Sequence, residues 1–200
     1  MQFEMIPAYR AYAELEQTHS KDVITFKSMK DLKDYNLNAD AMITDMPGIA
    51  LVIRTADCYP ILFWDSINKV VGAAHSGREG TRKNIAAEVI KAMTAIGAKI
   101  DNIYTAIGPG ISTEHYQVDE TTWQSFCNTT GIEQKFRYID IRKVIGIQLL
   151  EAGIKKEHIH QQQICTYLDK NYYSYRRDKT KGRQYSHIII TQQACHIQNS

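Results

Sequence analysis

Hydrophobic and polar positions along this chain follow two different periods. The longest apolar run, Ile49-Ala50-Leu51-Val52-Ile53, comes after a Pro47-Gly48 turn and reads as a buried strand over 49–55. "YPILFWD" (59–65) is a second short strand and "INKVVGAAHSG" (67–77) contains a third, with Asn68-Lys69 as the hairpin turn between them. "DVITF" (22–26) is an earlier short strand, and "DLKDYNLNAD" (31–40) is polar and loop-like. The helical period appears later. Ile85, Val89, Met93 and Ile96 share one face of a helix within "TRKNIAAEVIKAMTAIGA" (81–98), with Gly97 as its stop. "NIYTAIGPGIS" (102–112) returns as a strand ending in a Gly-Pro-Gly loop. "ETTWQSFCNTTG" (120–131) is a short helix, "RKVIGIQLLEAGI" (142–154) a longer one stopped by Gly153, and "QYSHIIIT" (184–191) a closing strand. Strands and helices mix without strict alternation, which predicts an α+β fold with mixed β-sheets rather than a doubly wound one. No repeat or flexible linker divides residues 1–200, so a single domain is expected.

Composition narrows the classes. A hydrophobic fraction of 44% suffices for a real core, and the formal net charge is only +2 with Lys and Arg scattered. That argues against nucleic acid as a partner. The one basic cluster, "SYRRDKTKGR" (174–183), reads as a solvated loop or an anion site. No stretch approaches the ~18 apolar residues of a membrane span, and "MQFEMIPAYRAYAELEQTHS" carries no basic-then-apolar leader, so a cytoplasmic location without membrane attachment is expected. Cys58, Cys127, Cys165 and Cys195 are widely spaced and should be free thiols there. G-x-G-x-x-G and P-loop motifs are absent.

Three side chains carry the candidate chemistry. Cys58 lies in "TADCYP", where a strand ends and the backbone turns; a packing thiol would sit inside the apolar run. His19 lies in "EQTHSKD", and His75 ends the small-residue run of "AAHSGREG". Their separations are not local metal-ligand spacings, and each alone also suits an ordinary packed or surface residue. Together they fit two schemes. One is a three-ligand zinc site with a fourth position open to water. The other is a Cys58 nucleophile with His75 as its base and no metal. Asp57 could orient a histidine in either, or simply cap the turn. Arg176, Arg177 and Arg183 offer guanidinium forks to phosphate. The Gly-Pro-Gly loop offers backbone N–H groups to an anion, and Arg78 and Arg82 stand near a helix start. His115, His158, His160, His187 and His196 have no comparable context, and Cys127, Cys165 and Cys195 read as structural.

These segments resemble the YfiH-like proteins, formerly described as multicopper polyphenol oxidases or laccase-like proteins and now as zinc-dependent purine nucleoside phosphorylases with adenosine deaminase activity. The similarity lies in "EQTHSKDV", "NADAMITDMPGIALVIRTADCYPILFWD", "KVVGAAHSGREGTRKNI", "AIGPGISTEHYQV", "CTYLDKNYYSYRRD" and "KGRQYSHIII", in family order. It implies His19, Cys58 and His75 as ligands of Zn²⁺, and a layered α+β fold related to cytotoxic necrotizing factor, a toxin with a Cys-His pair. It further implies phosphorolysis of adenosine, inosine or methylthioadenosine, with nucleoside and phosphate as partners. The sequence also departs from the family pattern. It lacks an N-terminal "F-S-T-R-x-G-G" segment, and the usual "H-A-G-W-R-G" reads "HSGREG", with Arg78 and Glu79 replacing Trp and Arg. The usual cysteines after "IGP" are absent.

Three rivals remain. One is a metal-free cysteine hydrolase using Cys58 and His75. Another is a non-catalytic zinc or nucleoside-binding protein. The third is a copper oxidase, for which seven mostly unclustered histidines are too few. The residues do not set an oligomeric state.

Overall fold

A computed structural model describes residues 11–33 and 37–191. Nine strands form two mixed sheets among these residues. The strands are β1 (Ala11–Ala13), β2 (Val23–Phe26), β3 (Ala41–Thr44), β4 (Ile49–Thr55), β5 (Tyr59–Asp65), β6 (Val70–Ser76), β7 (Ile103–Ile107), β8 (Ile159–Gln161) and β9 (Gln184–Ile189). The larger sheet runs β2-β3-β6-β5-β7-β8, parallel at both outer pairs and antiparallel between; the smaller is β1-β4-β9. The helices are α1 (Arg78–Arg82), α2 (Ile85–Ala95), α3 (Glu120–Thr130), α4 (Ile141–Glu151) and the single turn α5 (Tyr175–Asp178).

The alternation of side chains along a strand explains the layering. From β5, Ile61 and Phe63 join one core with Ile85, Val89 and Met93 of α2, Phe126 of α3 and Val144, Ile145 and Leu149 of α4. Leu62 and Trp64 face the other way, with Met42, Val71 and Ala73, against Leu51 and Ile53 of β4 and Ile188 of β9. The large sheet is therefore buried on both faces, between helices and the small sheet. This is the expected α+β fold of layered mixed sheets.

β4 and β5 match the predicted bounds, and the Asn68-Lys69 turn lies in a longer connection, 66–69. Asp65 organises that connection by accepting from the Ile67 and Asn68 backbone N–H groups at 3.0 and 2.9 Å. The helix expected over 81–98 divides in two. Asn84 sits between the pieces at φ +57° and caps α2, its side chain accepting from Ala87 N–H at 3.2 Å. Gly97 and Gly153 do stand just past the ends of α2 and α4, at φ +108° and +92°. Gly72 of β6 makes room for close packing, since a Cβ there would meet Ile43 of β3 and Val89 and Met93 of α2 at 3.1–3.2 Å. No helix of the described residues is long and apolar enough to cross a membrane.

Candidate metal centre and its cleft

Strand pairing brings the three candidate ligands together. In the β5–β6 ladder Tyr59 faces Ser76 and Pro60 faces His75, so Cys58, one residue before β5, arrives beside the end of β6. His19 comes from the loop between β1 and β2. Gln17 fastens that loop to β4, its amide donating to Arg54 C=O at 2.8 Å and accepting from Arg54 N–H at 2.9 Å. The ligand atoms of His19, Cys58 and His75 all lie within 4.8 Å of one another, and the Cys58 sulfur is 4.0 Å from His19 Nε2. His75 is buried, Cys58 half-buried and His19 exposed, which gives the group one open side. Among the described residues it is the one group of three or more such ligands that could hold a metal ion.

One carboxylate that sequence reasoning missed aligns two of the three. Asp40 is fully buried just before β3, and the β3–β6 ladder pairs its neighbour Ala41 with Ala74. Its Oδ1 lies 2.7 Å from His75 Nδ1, leaving Nε2 of that ring as the ligand atom. Its Oδ2 accepts from the backbone N–H groups of Thr18 and Ser20, on either side of His19, at 3.0 and 2.5 Å. Those two bonds hold His19 at φ +60°, a conformation costly for a residue with a Cβ. In sequence Asp40 is only an acid before a short strand; its role depends on which strand pairs with which.

The charges of Cys58, His75 and Asp40 act on one another. Burial alone would push the Cys58 thiol up, but the charge and hydrogen bonds of His75, with those of His19, outweigh it and hold it at about 6. Burial would push His75 down, yet the Cys58 thiolate and Asp40 raise it to about 9. Burial opposes ionisation of Asp40 too, but His75 and the Ser20 N–H outweigh it and hold it well below the usual carboxylate range.

The space beside the ligands suits an ion. Gly77 follows β6, and a Cβ there would lie 2.8 Å from the Cys58 sulfur and 3.1 Å from His19 Cδ2. Any side chain at this position would enter the space between the two ligands. A thiolate and two imidazoles around such a gap match zinc chemistry, with three protein donors and an open position.

The group lies in a cleft of about 660 Å³ whose wall includes Arg54, Tyr116, Arg176, Lys179, Lys181 and Arg183. Arg176 stretches over the Tyr116 ring at 5.1 Å and donates to Gln117 C=O at 2.8 Å. Arg177 does not line the cleft. Its guanidinium donates to the Thr166, Tyr167 and Tyr172 carbonyls and pairs with Asp178. Asp57 lines the cleft beside Cys58, but its carboxylate accepts from Thr166 Oγ1 at 2.7 Å and from Arg176 N–H at 2.6 Å. The carboxylate on His75 is Asp40.

The other anion candidates are occupied internally. In the Gly-Pro-Gly loop, Gly108 N–H donates to Pro60 C=O, Ile111 N–H to Asp57 C=O and Ser112 N–H to the Cys165 sulfur. Arg78 and Arg82 both bond to Glu79. Cys58, Cys127 and Cys165 are free thiols; Cys195 and His196 lie outside the described residues.

Residues 3–191 match the family model for multi-copper polyphenol oxidoreductase laccases. The chain belongs to this laccase-like, YfiH family. Its fold is that of the family's solved members. The YfiH protein of Bacillus licheniformis superposes with a TM-score of 0.82 at 28% identity, over 90% of this chain and 74% of that one. YlmD from Geobacillus stearothermophilus gives 0.82 at 29% identity with the same coverage. Among curated family members, a purine nucleoside phosphorylase of Synechocystis sp. is 31% identical over 179 residues, 76% of this chain and 67% of its own length. One from Deinococcus radiodurans is 33% identical over 184 residues, 88% and 69%.

Proposed function

We propose that this protein is a zinc-dependent purine nucleoside phosphorylase, with His19, Cys58 and His75 as the zinc ligands and adenosine deamination as a second activity. The observation that carries the reading is the ligand group itself, with the gap kept open by Gly77, in the wall of a cleft lined by Arg and Lys. The names of the relatives, purine nucleoside phosphorylases at about 30% identity, support the substrate class. A single ion suits three donors better than a multicopper centre, which needs many more histidines.

Zinc held there would act as a Lewis acid and make hydroxide available at neutral pH. The chain's own groups do the rest. Asp40 holds His75 with its Nε2 free to coordinate and holds the His19 loop by two N–H groups, so the ligands are oriented before substrate arrives. Arg176 and Arg183 line the cleft and would anchor inorganic phosphate, with Lys179 and Lys181 adding positive charge. In phosphorolysis a phosphate oxygen attacks the anomeric carbon, the glycosidic C–N bond breaks, and base and pentose 1-phosphate leave. In deamination water replaces the amine on the purine ring and ammonia leaves. Asp57 acts at one remove, tying the Arg176 backbone to the strand end that carries Cys58.

A metal-free cysteine hydrolase is the second reading, favoured by the low Cys58 thiol and the raised His75 imidazole. One experiment separates the two. Wild type and Cys58→Ala are purified without added metal, assayed for metal by mass spectrometry, then incubated with adenosine and phosphate. The zinc reading expects about one zinc per wild-type chain, and loss of both metal and turnover in the variant. Activity that survives chelator but is removed by iodoacetamide would make zinc the wrong reading and leave Cys58 as a metal-free nucleophile.

A further inference from the structure

A second thiol stands in an activating environment outside the candidate metal centre. Cys165 follows β8 and is half-buried, as are Ser112 and His115 across from it. His115 Nδ1 lies 3.9 Å from the Cys165 sulfur and 3.1 Å from Ser112 Oγ, while Ser112 N–H donates to the sulfur at 3.3 Å. The ring of His115 is held by stacking on Tyr167, with centroids 4.6 Å apart. A thiol with an imidazole in reach and a backbone donor on the sulfur make a nucleophile and its base, and the Tyr167 ring holds the imidazole in place. Neither proposed reaction uses any of them.

We propose that Cys165 is a modification site that takes low-molecular-weight disulfides as a mixed disulfide, with His115 as proton acceptor. The thiol proton passes to His115 Nδ1, and the Cys165 sulfur attacks one sulfur of the reagent. The reagent S–S bond breaks, a new S–S bond forms to Cys165, and the departing thiolate takes the proton back from His115. The reagent is the oxidant, and one of its halves leaves as a free thiol. Burial opposes ionisation of Cys165, but hydrogen bonds from Ser112, with those of the Leu168 and Tyr167 backbone, outweigh it and shift the thiol downward. By contrast, burial outweighs the backbone hydrogen bonds at Cys127 and raises its thiol, so Cys127 serves as an internal reference.

The position ties the site to the cleft. Thr166, the next residue, donates to Asp57, and Asp57 precedes Cys58. An adduct on Cys165 therefore forms one residue from a bond that fixes the cleft wall.

The test is independent of the zinc and nucleoside reading. The full chain, wild type and His115→Gln, is incubated with glutathione disulfide at neutral pH, and adducts are located over time by peptide mapping. Mapping separates Cys165 from Cys58, which has its own reasons to react. The expected result is ~10-fold faster modification of Cys165 than of Cys127 in wild type. His115→Gln should remove most of that advantage without altering Cys127. Should the variant fold poorly, the wild-type pH–rate profile decides: Cys165 must level off at lower pH than Cys127. Equal rates at the two thiols, a Cys165 rate indifferent to His115, or coincident pH profiles would overturn the proposal.

Discussion

Asp40 and Gly77 determine the candidate centre without being ligands. Asp40 accepts from His75 and from both N–H groups around His19, so Asp40→Asn removes the negative charge and turns one acceptor into a donor facing donors. Zinc affinity, measured by chelator competition, should fall roughly 10- to 100-fold, with the far-UV circular dichroism unchanged. Gly77→Ala should be more complete in its effect, because its methyl would lie 2.8 Å from the Cys58 sulfur. No stoichiometric metal should remain in that variant by mass spectrometry, and a full zinc complement would show that the ion sits elsewhere. Protons report on the same residues. Between Cys58 at about 6 and His75 at about 9, the metal-free chain holds thiolate and imidazolium. Coordination requires thiolate and neutral imidazole, so zinc uptake near pH 7.5 should release at least about one proton per ion, one from His75 and more from zinc-bound water as it ionises. The affinity should therefore rise with pH up to about 9 and gain little beyond it. Calorimetry in buffers of different ionisation enthalpy measures the proton count; no release at pH 7.5 would contradict the coupling.

At the scale of elements, the division of the expected helix depends on Asn84. Its φ of +57° is a left-handed conformation, and its side chain caps α2. Asn84→Ala loses the cap and keeps the backbone strain, and should cost about 2 kcal/mol in urea unfolding; Asn84→Gly should cost only a few tenths. The break lets α1 leave β6 just after Gly77 and α2 start again across the sheet, where Gly72 lets it approach closely. The periodicity of Ile85, Val89 and Met93 identified the buried face correctly, because a helix shows its core side every three or four residues. It could not show the break, which depends on one residue's backbone.

Across the whole molecule, the cleft is assembled from distant parts of the chain. Asp57 bonds Thr166 and Arg176, 109 and 119 residues away in sequence, so one carboxylate closes the wall between the strand end of Cys58 and the segment carrying Arg176 and Arg183. Asp57→Asn should retain zinc, because Asp57 touches no ligand side chain in these bonds, yet should lower stability by about 1–3 kcal/mol through an amide facing a donor. Loss of metal in Asp57→Asn would instead place that carboxylate in the metal centre.

Sequence alone determined the strands and helices with strong periodicity, the α+β class, and the three side chains of the candidate centre. Apolar alternation and a thiol at a strand end are local facts, legible wherever the chain later folds. The three-residue strands β1 and β8 are too short to show a period, and β3 is buried on both faces and so shows no alternation. Only the tertiary structure decided that Asp40, not Asp57, holds His75, and that Arg177 bonds to backbone carbonyls while Arg176 and Arg183 line the cleft. It likewise brought Cys165 to His115. Each of these depends on strand pairing or on a contact between residues far apart in sequence, and such partners are set by the packing of the layers rather than by local pattern.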